Sequence, residues 1–268
     1  MRDNFRTMAL LAALVLLVTG CGYRTPINTD DGCDLRVAWD PYEPYSYASD
    51  SGQATGYDIE VVTEVTGMLG CSLSFRQMEW SEILLALKNG DVDVTVGTGY
   101  KPDRAEWSWY TESYRKEVVG LMIRAGTTDR FPGETLDAVL EAGLVFGKTI
   151  DDTYDASSEA SFARFGEQVR PRVSEAKNVQ RLLDGSIDGF LVEINVGAAI
   201  AANLGAASAV EFHPLQLNAG NYRLQLSKQT VPAERVAALN EAIQALADSG
   251  WLSSKLSNYA LASGEAER

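Results

Sequence analysis

The fold of this chain is decided by the stretch Asp91-Val-Asp-Val-Thr-Val-Gly97-Thr98-Gly99-Tyr-Lys-Pro102-Asp-Arg104. Its valines alternate with polar residues, which predicts a β-strand, and the strand ends in glycines, where the backbone can approach a ligand closely. Pro102 suits the first turn of a helix, so the guanidinium of Arg104 would lie beside free backbone N–H groups. Such an arrangement binds anions. The alternative is a buried strand, a turn and a surface arginine in a salt bridge.

Around this stretch, strand and helix patterns alternate, which is typical of parallel sheets covered by helices. Two such series predict a two-lobed α/β fold with a ligand cleft between the lobes. Lobe I would comprise residues 34–124 and 217–262, and lobe II residues 125–216. Ligands of open α/β sheets bind at the carboxyl ends of the strands. That rule places four segments on the cleft: Asp40–Tyr42, Gly97–Arg104, Asp151–Tyr154 and Glu193.

Strands in the second half of the chain are predicted at residues 118–123, 144–150, 169–173, 187–193 and 222–226. The segment Phe212–Leu215 precedes the last of them and is not assigned to a strand. It contains the single histidine, His213, for which a structural role is expected.

The composition is that of an ordinary globular protein, with 268 residues, 46% hydrophobic and 22% charged. A formal net charge of −14 at pH 7 argues against nucleic acid or an anionic lipid surface as partner, because either needs a basic patch. The sequence has no histidine–cysteine cluster, metal-ligand spacing or nucleophile–base pair. We therefore expect no metal and no cofactor, and hydrolytic chemistry has little support.

Residues 1–20 have the pattern of an export signal, because two arginines precede the apolar run Met8–Val18, which is too short to span a bilayer. The run ends in Val18-Thr-Gly-Cys21, which resembles the lipobox of bacterial lipoproteins. Cys21 would then be the lipidated first residue of the mature protein, followed by a tether over residues 21–33. The alternative is a plain secretory peptide with an incidental cysteine.

Cys33 and Cys71 each stand at the start of a predicted strand. If the two strands are parallel neighbours, their starting ends lie side by side, within the Cα spacing of about 5.5–6 Å that a disulfide needs. An exported chain stays in a compartment where disulfides persist. We therefore predict a bridge between these two cysteines.

The chain also resembles the bacterial periplasmic solute-binding proteins of family 3, the polar amino-acid-binding type with a two-lobed (type II) "Venus flytrap" fold. The similarity covers roughly Leu35 to Tyr259. Several local patterns recur in family order, and the ordered set is more specific than any one of them. They are Pro44-Tyr-Ser-Tyr47, Gly56-Tyr57-Asp58, Trp80 leading to Leu84-Leu-Ala-Leu-Lys-Asn-Gly-Asp-Val-Asp93, Pro102-Asp-Arg104, Tyr110-Thr-Glu-Ser-Tyr114, Leu183-Asp-Gly-Ser-Ile-Asp188 and Gly220-Asn-Tyr222.

This resemblance implies a pocket that recognises both charged ends of an amino acid. Arg104 would pair with the ligand α-carboxylate, and Glu193 would take the α-amino group. Tyr42 and Tyr57 would sandwich the ligand between them. Asp40 matches a position that reaches a basic side chain in some members. The alternatives are a surface salt bridge for Glu193 and core packing for the two tyrosines.

The resemblance also implies that the backbone at Gly97 and Gly99 contacts the carboxylate. Many members have a hydroxyl residue where this chain has Gly99, so that hydrogen bond would come from the backbone or from Thr98. In the second lobe, a glycine with hydroxyl residues is replaced by Asp151-Asp152-Thr153-Tyr154, and Asp152 and Thr153 are expected at the ligand. Aspartates there repel a carboxylate and favour a ligand with surplus positive charge.

The sequence thus predicts a lipid-anchored binding protein on the periplasmic side of a bacterial membrane, contacting the membrane through its lipid only. It would capture a small amino-acid-like or amine-bearing solute by hinge closure and, as a monomer, deliver it to an ABC transporter permease in the inner membrane. One alternative is an enzyme on the same fold, similar to cyclohexadienyl dehydratases, with Glu193 or Asp151 transferring a proton. Another is a sensory or accessory binding module.

Overall fold

The structure, a computed structural model, describes residues 32–152, 154–217 and 220–259. The predicted export signal, Cys21 and Thr153 lie outside these residues. The described chain is an α/β structure with two larger sheets and a two-stranded hairpin. Within the described ranges no helix is both long and apolar enough to cross a bilayer.

The strands are β1 (Asp34–Trp39), β2 (Tyr47–Ala48), β3 (Ala54–Thr55), β4 (Ser72–Gln77), β5 (Val94–Gly99), β6 (Ser108–Tyr110), β7 (Arg115–Lys116), β8 (Val119–Arg124), β9 (Phe146–Thr149), β10 (Val169–Arg172), β11 (Gly189–Glu193), β12 (Val210–Leu217) and β13 (Asn221–Ser227). The helices are α1 (Tyr57–Gly67), α2 (Trp80–Asn89), α3 (Pro102–Ala105), α4 (Leu136–Glu141), α5 (Ala156–Arg164), α6 (Glu175–Leu183), α7 (Ile194–Asn203), α8 (Ala233–Asp248) and α9 (Trp251–Tyr259). Short 3₁₀ turns span Thr128–Arg130 and Ala207–Ala209.

The first sheet defines lobe I and has the strand order β4-β1-β5-β13-β6, with β7 pairing on β13. β1 is parallel to both β4 and β5, because helices α1 and α2 provide the crossovers between them. β13 returns antiparallel to β5, with Tyr222 opposite Gly99. The stretch that decides the fold therefore forms the central strand of lobe I, with Val94 and Val96 in its core.

The second sheet defines lobe II and has the order β10-β9-β11-β8-β12. These two sheets confirm the predicted two-lobed α/β architecture, but the lobe boundary differs from the predicted one at residue 124. β8 pairs antiparallel with β11 and β12, so it belongs to lobe II. Its run Leu121–Ile123 is fully buried, and an apolar strand of this kind needs neighbours and packing on both faces. The chain therefore enters lobe II between β7 and β8.

β12 is a strand that the sequence pattern does not reveal. Pro214 interrupts it and has no N–H to donate, and its pairing with β8 shifts register between Phe212 and Gln216. His213 is buried within this strand, and its Nδ1 accepts a hydrogen bond of 3.1 Å from the backbone N–H of Leu215. The irregular pairing explains why the apolar and polar residues of this segment do not alternate as in a regular strand.

A disulfide joins Cys33 to Cys71, which confirms the predicted pairing. In the parallel pair of β1 and β4, Asp34 lies opposite Ser72. The cysteines immediately before these residues are therefore neighbours, with their Cα atoms 4.5 Å apart.

Helix α1 brings an acidic residue to the edge of lobe I. Its apolar residues Ile59, Val62 and Val65 are buried on one face. The helix is preceded by Gly56, at φ 114°, where a Cβ atom would come 2.4 Å from the carbonyl oxygen of Tyr45. The close approach requires glycine, and it fixes the first turn that carries Asp58.

Candidate ligand-binding site

A cavity of about 50 Å³ lies between the two lobes. Lobe I contributes residues after β1, at the starts of α1 and α2 and in β5, and lobe II contributes residues around the end of β9 and the start of α6. Its wall includes Asp40, Tyr42, Asp58, Trp80, Gly97, Thr149, Asp152 and Glu175. One water molecule needs roughly 10–15 Å³ of such space. In this conformation the cavity therefore accommodates a few waters.

Polar contacts join the lobes beside this cavity. From lobe I, the guanidinium of Arg104 and the indole Nε1 of Trp80 both donate to the backbone carbonyl oxygen of Asp151, the indole over 3.0 Å. The ammonium of Lys101 donates to the carbonyl oxygen of Asp152 over 2.6 Å. All three donors come from lobe I and both acceptors from the loop after β9, so these contacts link the two lobes.

The wall of the cavity is strongly acidic. It carries the carboxylates of Asp40, Asp58, Asp152 and Glu175, and in the described part of the chain no Lys, Arg or His side chain lines it. Burial, reinforced by repulsion from Asp152, raises the pKa of Asp40 to about 7. The same two causes raise the pKa of Glu175 well above its ordinary value. A cation bound among these acids favours their ionised form, so the wall is complementary to a cation.

Asp58 is paired with a buried arginine on β7. Arg115 donates to the two carboxylate oxygens of Asp58 over 2.7 and 2.9 Å, and to Glu117 over 2.5 Å. The guanidinium carbon also lies 3.8 Å from the ring centroid of Tyr45. Burial raises the pKa of Glu117 to about 8, although Arg115 lowers it. One guanidinium thus serves two buried acids, Asp58 and Glu117.

Gly97 and Arg104, which the sequence predicts at the ligand carboxylate, are each partly hydrogen-bonded within the protein. Gly97 has φ 62°, and a Cβ atom there would come 2.5 Å from Oδ2 of Asp58, so the position requires glycine. Its N–H donates to the hydroxyl of Tyr114 over 2.8 Å. Nη2 of Arg104 contacts the Asp151 carbonyl, whereas its Nη1 is buried and has no hydrogen-bond partner among the described residues.

Four of the residues predicted from the sequence lie together on the cavity wall. They are Asp40, Tyr42, Gly97 and Asp152. Gly99 lines a second cavity, of about 350 Å³, that also includes Val119 and Tyr154. Thr153 lies outside the described residues.

Two other predicted residues are engaged inside lobe I. Tyr57 is fully buried, and its hydroxyl donates to the carbonyl oxygens of Tyr114 and Leu252 over 3.2 and 3.3 Å. The hydroxyl of Thr98 donates to the carbonyl oxygen of Arg223 over 3.3 Å. Tyr57 therefore packs in the lobe core instead of forming one side of an aromatic sandwich, and Thr98 does not line the cavity.

Glu193 is the N-cap of helix α7. Its Oε2 accepts from the backbone N–H groups of Asn195 and Val196 over 2.8 and 2.9 Å, and its Oε1 accepts from the hydroxyl of Tyr45 over 3.2 Å. Burial raises the pKa of Glu193. In the closed form this carboxylate therefore stabilises a helix start and a lobe–lobe contact, and it does not line the cavity.

Glu175 is one of the wall residues that the sequence interpretation missed, together with Asp58, Trp80 and Thr149. It follows the predicted strand 169–173 by two residues, so the rule that ligands bind at strand carboxyl ends would have located it. Glutamate is common in the first turn of a helix because the helix dipole favours a negative charge there. Its presence at the start of α6 therefore does not by itself indicate a ligand-binding role.

The family model described as bacterial extracellular solute-binding proteins, family 3, matches residues 35–261. The L-cystine-binding protein TcyA of Bacillus subtilis (strain 168) is 24% identical over 148 residues, which are 55% of this chain and 52% of that protein. The match therefore spans about half the length of that relative. The probable histidine-binding protein of Neisseria gonorrhoeae is 21% identical over 252 residues, 90% of each chain.

Among solved structures, a histidine kinase sensor domain with similarity to periplasmic binding proteins superposes with a TM-score of 0.75. It is 20% identical, and the superposition covers 86% of this chain and 97% of that one. At this level of identity the likeness establishes a shared fold.

Proposed function

Because the chain belongs to the bacterial extracellular solute-binding proteins of family 3, we propose that it captures a cationic, amine-bearing amino acid or a similar solute and delivers it to an ABC transporter permease. The observation that carries this proposal is the composition of the cavity wall, which has four acidic side chains, one of them (Asp58) paired with Arg115, and, among the described residues, no basic side chain. A ligand with net positive charge relieves their mutual repulsion, whereas an anionic ligand adds to it.

Binding proceeds by closure of the two lobes around the solute. In the open state, the acids of lobe I and lobe II are separated and hydrated, and closure without a cation brings Asp40 and Asp152 together at a cost. A cation between these two acids replaces their repulsion with attraction and so stabilises the closed state. A shift from mostly open to mostly closed requires about 5.5 kcal/mol of differential binding, which several charge-assisted hydrogen bonds supply.

Recognition of the amino-acid backbone falls to Arg104. Arg104 lies beside the cavity and not on its wall, and its Nη1 is buried without a hydrogen-bond partner among the described residues. This nitrogen would reach a ligand carboxylate when the lobes separate, while Nη2 contacts the lobe II loop. The half-buried ring of Tyr42 covers the apolar stem of the ligand. The relatives whose names specify cystine and histidine are consistent with an amino-acid ligand.

The remaining parts of the proposal concern location and assembly. The protein acts as a monomer on the periplasmic side of the membrane, held there by lipid on Cys21. We expect it to act as a binding protein and not as an enzyme, because the relatives described above are binding proteins.

The test is a thermal-shift and calorimetric comparison of lysine, arginine, histidine, cystine and glutamate with the purified full chain. We expect the cationic amino acids to raise the unfolding temperature most and glutamate to leave it unchanged. Asp40→Asn should weaken the best cationic ligand by about tenfold or more, and Asp50→Asn, an exposed aspartate in the hairpin, serves as the matched control. Tighter binding of glutamate than of any cationic amino acid would refute the proposal.

A further inference from the structure

Glu175, the first residue of α6, has a carboxylate that lobe II leaves half satisfied. The residue is 6% exposed and lines the cavity between the lobes. Its Oε2 is buried and has no hydrogen-bond partner among the described residues. A buried carboxylate oxygen without a donor is costly, so a position of this kind calls for a partner.

The orientation of Glu175 is fixed by its neighbours in lobe II. The amide Nδ2 of Asn178 donates to Oγ1 of Thr149 over 3.1 Å, which leaves the Thr149 hydroxyl proton for the Glu175 carboxylate. Thr149 and Asn178 are themselves buried, so the carboxylate is held in place before any ligand arrives. Preorganisation of this kind is typical of a recognition group.

The charges that surround Glu175 are negative. Besides burial, repulsion from Asp152, Glu117 and Asp40 raises its pKa. The guanidinium of Arg115 is taken up by Asp58 and Glu117. The cavity wall of the described chain therefore lacks a cation for this carboxylate.

We propose that Glu175 is the counter-ion of a second cationic centre of the ligand, so that the solute carries two positive charges and presents them to opposite lobes. The α-amino group is held by Asp40 on lobe I and the distal positive charge by Glu175 on lobe II. This deepens the proposed function and rests on it. Since each lobe holds one end, a dication gains both contacts only in the closed state, and a monocation gains one.

The experiment uses pairs of amino acids that differ in one positive charge and little else. Lysine and norleucine share a carbon chain, and arginine and citrulline share a length, so each pair isolates the distal cation. Calorimetry with the purified full chain should give at least about tenfold tighter binding of lysine than norleucine, or of arginine than citrulline, as for one charge-assisted contact. Glu175→Gln should reduce that ratio by about tenfold and leave the affinity for norleucine or citrulline within about threefold.

Glu234→Gln is the matched control, because it removes one exposed carboxylate from the first turn of another helix, α8. It should leave both ratios unchanged. An unchanged ratio in Glu175→Gln would overturn the inference, and circular dichroism verifies that the variant is folded. If the variant does not fold, the inference is tested by the wild-type affinity ratios of lysine to norleucine and of arginine to citrulline. Ratios near one overturn it. If the proposed function itself is wrong, the wild-type protein binds neither member of either pair, which distinguishes that outcome from failure of this inference alone.

Discussion

The guanidinium of Arg104, on lobe I, donates a hydrogen bond to the backbone carbonyl oxygen of Asp151, on lobe II. Asp151 has φ 62°, a left-handed conformation that aspartate adopts more readily than most residues with a Cβ atom. The same carbonyl accepts from the indole of Trp80, so two lobe I side chains meet at one acceptor. Arg104 thus joins the lobes through one nitrogen and keeps Nη1 unpartnered within the described chain.

Arg104→Ala is expected to distinguish ligands by their carboxylate. If Nη1 holds the ligand carboxylate, lysine should lose about 10- to 100-fold in affinity, whereas 1,5-diaminopentane, which has no carboxylate, should lose less than about threefold. Calorimetric titration of both compounds measures the difference. Arg130→Ala, at an exposed ion pair with Asp188, is the control and should affect neither. Equal losses for both compounds would show that Arg104 only joins the lobes.

Arg115→Met is expected to destabilise the fold strongly at neutral and higher pH. It leaves Asp58 and Glu117 buried without their cation, which costs about 3–5 kcal/mol in comparable sites. Because the pKa of Glu117 is already about 8, lowering the pH neutralises this unpaired acid and should shrink the loss. Urea unfolding at several pH values measures it. The same substitution at the exposed Arg164 should cost no more than about 0.5 kcal/mol, and a comparable loss there would contradict the explanation.

Much of the fold follows from local patterns in the sequence. Alternation of apolar and polar residues predicts the central strand of lobe I, and the positions of Cys33 and Cys71 before two strands predict the disulfide. β8 was harder to place, because an apolar strand does not specify which sheet supplies its neighbours. That information lies in the pairing of β8 with β11 and β12, which are distant in sequence.

The candidate site was predictable where the backbone alone determines position. Asp40 and Gly97 lie at strand ends, and the strand-end rule places both on the cavity. The orientation of a side chain depends on tertiary packing, which explains Tyr57 and Glu193. Tyr57 turns into the core because buried carbonyl groups accept its hydroxyl, and Glu193 turns toward the N–H groups of α7. Neither set of partners is visible in the sequence.

Removal of the disulfide should lower stability without changing ligand specificity. The bridge closes a loop with a sequence separation of 38 residues, and in the chain-entropy model such a loop contributes about 3–4 kcal/mol. The double substitution Cys33→Ser and Cys71→Ser should therefore reduce the free energy of unfolding by about that amount in urea titrations. Reduction of the wild-type protein should give the same shift and should leave the double variant unaffected. Equal alkylation of both thiols in the unreduced native protein would contradict the pairing.

Glu193→Ala separates a helix cap from a ligand contact. Because the carboxylate already accepts from two backbone N–H groups, from Tyr45 and from the side chain of Asn195, its loss should cost about 1–2 kcal/mol of stability. The affinity for lysine should change by less than about threefold. Unfolding and calorimetry on the same variant supply both values. A loss in affinity above about tenfold with unchanged stability would instead assign Glu193 to the ligand amine, as the resemblance implies.

The affinity for a cationic ligand should rise with pH through the titration of Asp40. Its pKa is raised to about 7 by burial, with repulsion from Asp152, Glu79 and Asp58 adding to it, and only the ionised carboxylate attracts a cation. Lysine should therefore bind increasingly tightly from about pH 5.5 to pH 8, where its own α-amino and side-chain groups stay largely charged.

The ligand-free protein should show the opposite trend. A carboxyl group with a raised native-state pKa contributes stability that is fully present below its unfolded pKa of about 4 and is lost as the pH rises through about 7. Asp40→Asn should flatten both profiles, and the part that remains reports on the other buried acids with raised pKa values, Glu117, Glu175 and Glu193. Lysine affinity and ligand-free stability measured across this range in both proteins test the assignment. A wild-type affinity profile identical to that of Asp40→Asn would exclude Asp40 as the titrating group.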